Sequence, residues 1–355
     1  MKVVSVLGAR PQFIKAAPVS QALQAAGISE LLLHTGQHYD DGMSQIFFDE
    51  LHIPAPDVNL GVGSGSHGEQ TGAMMTGIEK VLLAEKPDWV LVYGDTNSTL
   101  AGALTAAKLN YPVAHVEAGL RSFNRAMPEE HNRVLTDHCS TLLFAPTSTA
   151  VANLGREGIT EGVHQVGDTM YDAVLQFLDL ARERSSVLAD FGLEPGGYLL
   201  ATVHRAGNTD STSNLRAILE ALLEADVPVL FPVHPRTRRR MAELEGELPL
   251  AAANSQLRLV EPVGYLDMLV LQANARAVLT DSGGMQKEAF FLQVPCITLR
   301  EETEWVETVQ AGANRLVGAD KAAILEALAG FQAQPADPAS IFGDGHAAKR
   351  IVALL

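Results

Sequence analysis

Short, continuous apolar runs recur through this chain without alternating with polar residues. In the front half they cover Val3–Leu7, Leu31–Thr35, Trp89–Tyr93, Val113–Val116 and Leu142–Ala145. In the rear half they cover Tyr198–Val203, Val229–Val233, Leu257–Val260, Ala277–Thr280 and Cys296–Leu299. Runs of this kind predict strands buried on both faces. Between them lie stretches of helical period, among them Gln12–Ala26, Gly68–Ala84 and Leu215–Ala225. Strands alternating with helices build parallel sheets that helices cover on both sides. The series restarts after Ala181–Gly197, which carries Arg182-Glu183-Arg184 and the turn Glu194-Pro195-Gly196-Gly197. The fold class is therefore read as α/β: two Rossmann-like, doubly wound parallel-sheet domains facing across a cleft, hinged between Val166 and Pro195. The expected bounds are 1–167 and 168–342, with a last helix in 343–355 packing back onto the first domain. Gly61–Gly68 reads as a flexible loop.

Open parallel sheets bind ligands beyond the carboxyl ends of their strands. Six polar clusters stand there: Gly8-Ala9-Arg10-Pro11, Gly94-Asp95-Thr96-Asn97-Ser98, Glu117-Ala118-Gly119-Leu120-Arg121, His204-Arg205, His234-Pro235-Arg236 and Asp281-Ser282-Gly283-Gly284. The last of these opens a helix, so the amides of Ser282, Gly283 and Gly284 and the helix dipole would face an anion. Arg10 and Lys15, on or near the first turn of the first helix, could supply positive charge. Glu288, one turn into the rear helix, could reach ribose hydroxyls. Neither loop is a GxGxxG or Walker sequence.

Three carboxylates suggest proton transfer. Asp95 and Glu117 end strands expected to be neighbours, and Glu129 opens another helix after Met127-Pro128. Directed at one pocket, they would push their proton affinities apart and supply an acid and a base. Blander roles stay open: Asp95 as a helix cap, Glu117 as a partner of Arg121, Glu129 as a carboxylate favoured by the dipole. His204 and His234 are cleft residues or satisfied structural histidines.

Composition narrows the classes. The chain has 355 residues, enough for two domains, with 47% hydrophobic and 19% charged residues, which excludes a disordered chain. A net charge of −16 disfavours nucleic acid and anionic membrane as partners. No apolar run reaches the roughly 20 residues of a membrane span. The first run reads as a core strand rather than a secretory signal, so a cytoplasmic location is expected. The two cysteines, Cys139 and Cys296, read as free buried thiols, and the dispersed histidines give no metal-ligand spacing.

The motifs together resemble the non-hydrolysing UDP-N-acetylglucosamine 2-epimerases, of glycosyltransferase-B-like fold. The matching stretches are GARPQFIKAAP at 8–18, TGQH at 35–38, VYGDTNSTLAGA at 92–103, HVEAGLRS at 115–122, MPEEHNR at 127–133, TVHR at 202–205, PVHP at 232–235 and DSGGMQKEA at 281–289. The resemblance implies inversion at C2 of a UDP-linked N-acetylhexosamine with no redox cofactor. UDP would be eliminated across C1–C2 to leave 2-acetamidoglucal, then re-added with protonation on the other face. It makes Asp95, Glu117 and Glu129 the acid–base candidates. Arg10, Lys15, Arg133 and His204 would meet the diphosphate or sugar, and Ser282 and Gly283 would hold phosphate oxygens with Glu288 on the ribose. It also implies a homodimer. Lys287-Glu288 stands where the family has two acidic residues. The stretches YDDGMSQIFF and GVGSGSHGEQTG differ from the family's regulatory substrate site, so activation by UDP-N-acetylglucosamine is not expected. The run TLREETEWVET at 298–308 resembles the branch acting on UDP-2,3-diacetamido-2,3-dideoxyglucuronate, whose extra carboxylate would call for Arg205, Arg236 or Arg300. A glycosyltransferase, a hydrolysing epimerase and a nucleotide-sugar sensor are the competing readings; the GDTNS and PEEHNR motifs favour the epimerase.

Overall fold

The computed structural model describes residues 1–37, 55–244, 247–250 and 256–355, leaving aside the side chain of Arg10. Two compact units are formed, Met1–Gln176 with Ala339–Leu355, and Phe177–Pro338.

The first unit holds β1 (Lys2–Leu7), β2 (Ser29–His34), β3 (Val58–Asn59), β4 (Trp89–Tyr93), β5 (Val113–Val116), β6 (Leu142–Ala145) and β7 (Val163–Gln165). They form one parallel sheet in the order β3-β2-β1-β4-β5-β6-β7. The strand interiors are apolar and almost wholly buried, as strands covered on both faces require. Helices α1 (Arg10–Ala25), α2 (His67–Glu85), α3 (Asn97–Lys108) and α4 (Pro128–Cys139) follow the first sheet's strands, and α5 (Thr169–Arg184) comes after β7. Met74, Ile78 and Leu82 of α2 and the alanines of α3 join Val4, Val6, Val90 and Val92 in one core.

The second unit repeats the plan with β8 (Leu199–Thr202), β9 (Val229–Pro232), β10 (Leu257–Val260), β11 (Ala277–Thr280), β12 (Cys296–Thr298) and β13 (Asn314–Leu316). Their order is β10-β9-β8-β11-β12-β13, again parallel. The helices used below are α6 (Pro235–Ala242), α7 (Tyr265–Ala273) and α8 (Gly283–Phe291). In both sheets the winding reverses beside the first strand, between β1 and β4 and between β8 and β11. Those are the positions where such sheets take ligands.

The last helix, α9 (Ala347–Leu354), belongs to the first unit and packs on α1. The Asp172 carboxylate accepts from the Ala347 and Ala348 amides at 3.1 and 2.8 Å, satisfying donors that a helix start leaves open. The expected loop Gly61–Gly68 needs one correction. The Glu69 amide donates to Ser66 Oγ, whose hydroxyl donates to the Glu69 carboxylate, and this capping box starts α2 at His67. No helix among the described residues is long and apolar enough to cross a membrane.

Candidate functional site

The first unit gathers its charged residues where β1, β4 and β5 end. Gln12 locks the turn after β1: its Oε1 accepts from the Gly8 and Ala9 amides, and its Nε2 donates to the Tyr93 carbonyl at 2.7 Å. That side chain ties the start of α1 to the end of β4. Lys15, one turn further and only 8% exposed, makes an ion pair with Glu117. Gly94 lies against this pair; a Cβ there would stand 3.2 Å from Lys15 Nζ and 3.3 Å from Glu117 Oε2. Its φ of 65° further favours glycine.

Asp95 does not cap α3. Thr96 does, its Oγ1 accepting from the Thr99 amide, and the Asp95 carboxylate instead receives Arg133 Nε at 3.0 Å and Nη2 at 2.6 Å. Arg133 is itself buried and donates its Nη1 to Glu130 at 2.7 Å. Glu130 also accepts from the amides of Ser122 and Phe123, both at 2.9 Å. Burial pushes the Glu130 carboxyl up, but the Ser122 amide, Arg133 and the Phe123 amide outweigh it and hold it below its ordinary range. Asn132 adds a hydrogen bond to the Asp95 carbonyl. Glu129 sits half-buried in the first turn of α4.

Glu117 does not pair with Arg121. A spacing of four brings side chains together on a helix, but here the chain turns sharply, with Glu117 at φ 75° and Gly119 at φ 82°. Arg121 binds Glu157 through two hydrogen bonds of 2.7 Å and Asp137 at 2.8 Å. Asp137 also takes the Gly119 amide and His115. Sequence reasoning missed this network and the part of Glu130; the polar His115 inside the apolar run VAHV was the available signal.

In the second unit Asp281, fully buried at the end of β11, organises the turn after β8. It accepts from the amides of His204 and Arg205 and from Asn208 Nδ2 at about 3 Å. The His204 ring is presented beside it, Nδ1 3.6 Å from Asp281, with the His234 ring 6.1 Å away. Desolvation lowers the proton affinity of His204, Arg205 and Arg236 act the same way, and Asp281 opposes them. His234 is exposed and caps α6, its Nδ1 accepting from the Arg236 amide at 3.2 Å.

Ser282 caps α8, and Gly283 and Gly284 begin it. A Cβ at Gly283 would lie 2.4 Å from Glu304 Oε1, so a larger residue there would displace that carboxylate. The bare amides at the start of α8 suit an anion. Glu288 is buried rather than at the surface, accepting from Gln272 at 2.7 Å. Burial raises its proton affinity, while Gln272 and Tyr265 act against that. Lys287 is also buried, its ammonium 4.0 Å from the centre of the Trp305 ring. Of the cations weighed for a further substrate carboxylate, Arg236 meets Asp210 at 2.6 Å and Arg300 meets Glu304 at 2.9 Å. His38 and the stretch 39–48 lie outside the described residues, as does the Arg10 side chain. Among the described residues no cluster of His, Cys, Asp and Glu is arranged to hold a metal.

Two doubly wound parallel sheets, of seven and six strands, with polar clusters at their strand ends define a glycosyltransferase-B-like protein. The chain belongs to the UDP-N-acetylglucosamine 2-epimerase family, whose sequence pattern matches residues 21–355. It is 54% identical to a UDP-N-acetylglucosamine 2-epimerase homolog of Methanococcus maripaludis, across all of this chain and 99% of that one. It is 48% identical to the UDP-2,3-diacetamido-2,3-dideoxy-D-glucuronate 2-epimerase of Pseudomonas aeruginosa, again across all of this chain and 99% of the relative. The crystal structure of the Methanocaldococcus jannaschii UDP-GlcNAc 2-epimerase in complex with UDP-GlcNAc and UDP superimposes with a TM-score of 0.93, at 49% identity, covering 99% of each chain.

Proposed function

We propose that this protein interconverts UDP-N-acetylglucosamine and UDP-N-acetylmannosamine by eliminating UDP across C1–C2 and adding it back, without a redox cofactor. The observation that carries this reading is the pairing of each strand-end carboxylate with a cation, Glu117 with Lys15 and Asp95 with Arg133. An adjacent cation favours the ionised form of a carboxylate, the form that can accept a proton. The C2 hydrogen is not adjacent to a carbonyl, so its removal is feasible only as the C1–O bond to UDP breaks. A carboxylate takes the proton, the electron pair forms the C1=C2 bond of 2-acetamidoglucal, and UDP leaves with the bonding pair of its C1–O bond. In return, UDP oxygen attacks C1 while a carboxylic acid delivers a proton to the opposite face of C2. Asp95, Glu117 and Glu129 are the candidates for these transfers. Ser282, Gly283, Gly284 and His204 receive the diphosphate, with Arg10, Lys15, Arg133 and His234 as further contacts and Glu288 on the ribose. The leaving UDP is thereby stabilised electrostatically.

The relatives bracket two substrates, the N-acetylhexosamine and the diacetamido uronate. Of the three cations weighed for the uronate carboxylate, Arg236 and Arg300 are each matched by a carboxylate of the protein, which counts against these two in that role. In deuterated buffer, UDP-N-acetylglucosamine should yield nucleotide-linked N-acetylmannosamine carrying deuterium at C2, read by proton NMR. Release of free sugar would mean hydrolysis. Exchange confined to the diacetamido uronate would transfer the chain to that specificity, and transfer to an acceptor would make it a glycosyltransferase.

The ribose contact gives a separable check. Glu288→Gln removes a buried carboxylate whose proton affinity is raised, a group that costs stability when ionised above its raised folded value. That cost disappears as the pH falls through the folded value towards the ordinary 4.5. The variant should therefore match or exceed the parent in thermal stability at neutral pH. It should bind UDP about 10- to 100-fold more weakly by calorimetry, the effect of losing a charged hydrogen bond. Unchanged UDP affinity would take Glu288 out of the ribose site.

A further inference from the structure

His115 lies in the interior of β5 with no solvent exposure, two residues before Glu117. Both of its ring nitrogens face acceptors. Nε2 is 2.8 Å from the Gly94 carbonyl oxygen, which cannot donate, and Nδ1 is 2.7 Å from Asp137 Oδ1. A neutral imidazole has one donor and one acceptor nitrogen, so it satisfies only one of these contacts. A proton on Asp137 Oδ1 would rescue the neutral ring, but the Gly119 amide at 3.1 Å and Arg121 Nη1 at 2.8 Å, both donating to Oδ2, favour the ionised carboxylate. Charge balance points the same way. Arg121 is shared between Asp137 and Glu157, and the three groups together carry one net negative charge. An imidazolium at His115 brings this largely buried network to neutrality, which a low-dielectric interior favours.

We propose that His115 is a doubly protonated positioning residue, an imidazolium that fixes the Gly94–Asp95 turn of β4 against β5 and so sets the placement of Asp95 and Glu117. The Gly94 carbonyl it holds belongs to the residue whose other side is closed by the Lys15–Glu117 pair. The next residue is Asp95, fixed by Arg133. One ring therefore bridges the ends of both strands that present acid–base candidates, and its second proton is anchored on α4, the helix that supplies Arg133 and Glu129. The catalytic consequence rests on the epimerase reading given above; the proton count does not.

Two measurements test it. In protein labelled with 15N-histidine, the ring nitrogens assigned to His115 by comparison with the substituted proteins should both resonate as protonated N–H nitrogens at neutral pH. One unprotonated nitrogen overturns the proposal, whatever the enzyme's activity. The second measurement compares two substitutions. His115→Gln can place its amide nitrogen where Nε2 lies and keep the donor to Gly94, whereas His115→Asn reaches only the Asp137 side. Asn should lower kcat by about 100-fold, the scale expected when reacting groups are displaced by an ångström, with UDP affinity unchanged. Gln should recover kcat to within about tenfold of the parent, the share of a single 1.4 kcal/mol interaction. Equal losses for both, tracking a fall in thermal stability, would reduce His115 to a packing residue. If the parent itself turns over no UDP-sugar, the epimerase reading fails while the nitrogen shifts still decide the protonation.

Discussion

Asp95→Asn and Glu117→Gln should each lower kcat by about 10²- to 10⁴-fold, the span that positioned proton transfer contributes, while UDP affinity stays within a few-fold of the parent. Both substitutions keep shape and remove basicity, so a large loss reports chemistry rather than volume. They should differ in stability, and the structure says in which direction. Asp95 is partly exposed, its side chain at 28%, and Arg133 keeps Glu130 when it is neutralised. Glu117 is buried and partnered with a Lys15 that is buried too, so Glu117→Gln leaves a cation without its carboxylate. Breaking such a pair by removing one member costs about 3–5 kcal/mol. Glu117→Gln should therefore melt well below Asp95→Asn, with chemistry lost in both. The same pair of variants should abolish solvent deuterium incorporation at C2. Retention of parental kcat by either variant would return that residue to a purely structural role.

Strand positions were legible because buried parallel strands need uninterrupted apolar runs, and Val3–Leu7 or Ala277–Thr280 can hardly be read otherwise. Strands β3, β7 and β13, of two or three residues each, carry too few apolar positions to register as runs. The strand-end clusters were legible for a topological reason: chain reversal between β1 and β4 leaves the β-α turns open. Long-range pairing was not. Lys15 and Glu117 are 102 residues apart, and Asp95 and Arg133 are 38 apart, so no local period records them. Local rules also offered other roles. The cap role left open for Asp95 falls to the neighbouring Thr96, and the partnership with Arg121 left open for Glu117 is not formed across a non-helical turn. The burial of Glu288 was not legible either. A carboxylate one turn into an amphipathic helix normally faces water, but α8 is covered on nearly every side, so only the packing of α7 against it, with Gln272 and Tyr265, determines its setting.

Arg133→Ala should destabilise the first unit by about 3–5 kcal/mol, and should also lower kcat about as much as Asp95→Asn does. Arg133 is among the largest fully buried side chains of the protein, and its fork holds Asp95 on one side and Glu130 on the other. Removing it leaves a cavity and two carboxylates facing it, one of them buried. Arg133→Lys keeps the charge but supplies a single point where the geometry uses three N–H groups, so it should recover part of the stability and little of the activity. The pH dependence gives the sharper check. The Glu130 carboxyl is held below its ordinary 4.5, so the stability it contributes in the parent is fully present above 4.5 and lost as the pH falls through the depressed folded value. Without Arg133 one of the influences opposing burial is gone, and that acid-labile contribution shrinks. The gap in denaturant midpoint between parent and Arg133→Ala should therefore be widest at neutral pH and narrow progressively as the pH drops below 4.5. A gap that stays constant with pH would mean that Arg133 stabilises the fold by filling volume and not through its charge on Glu130.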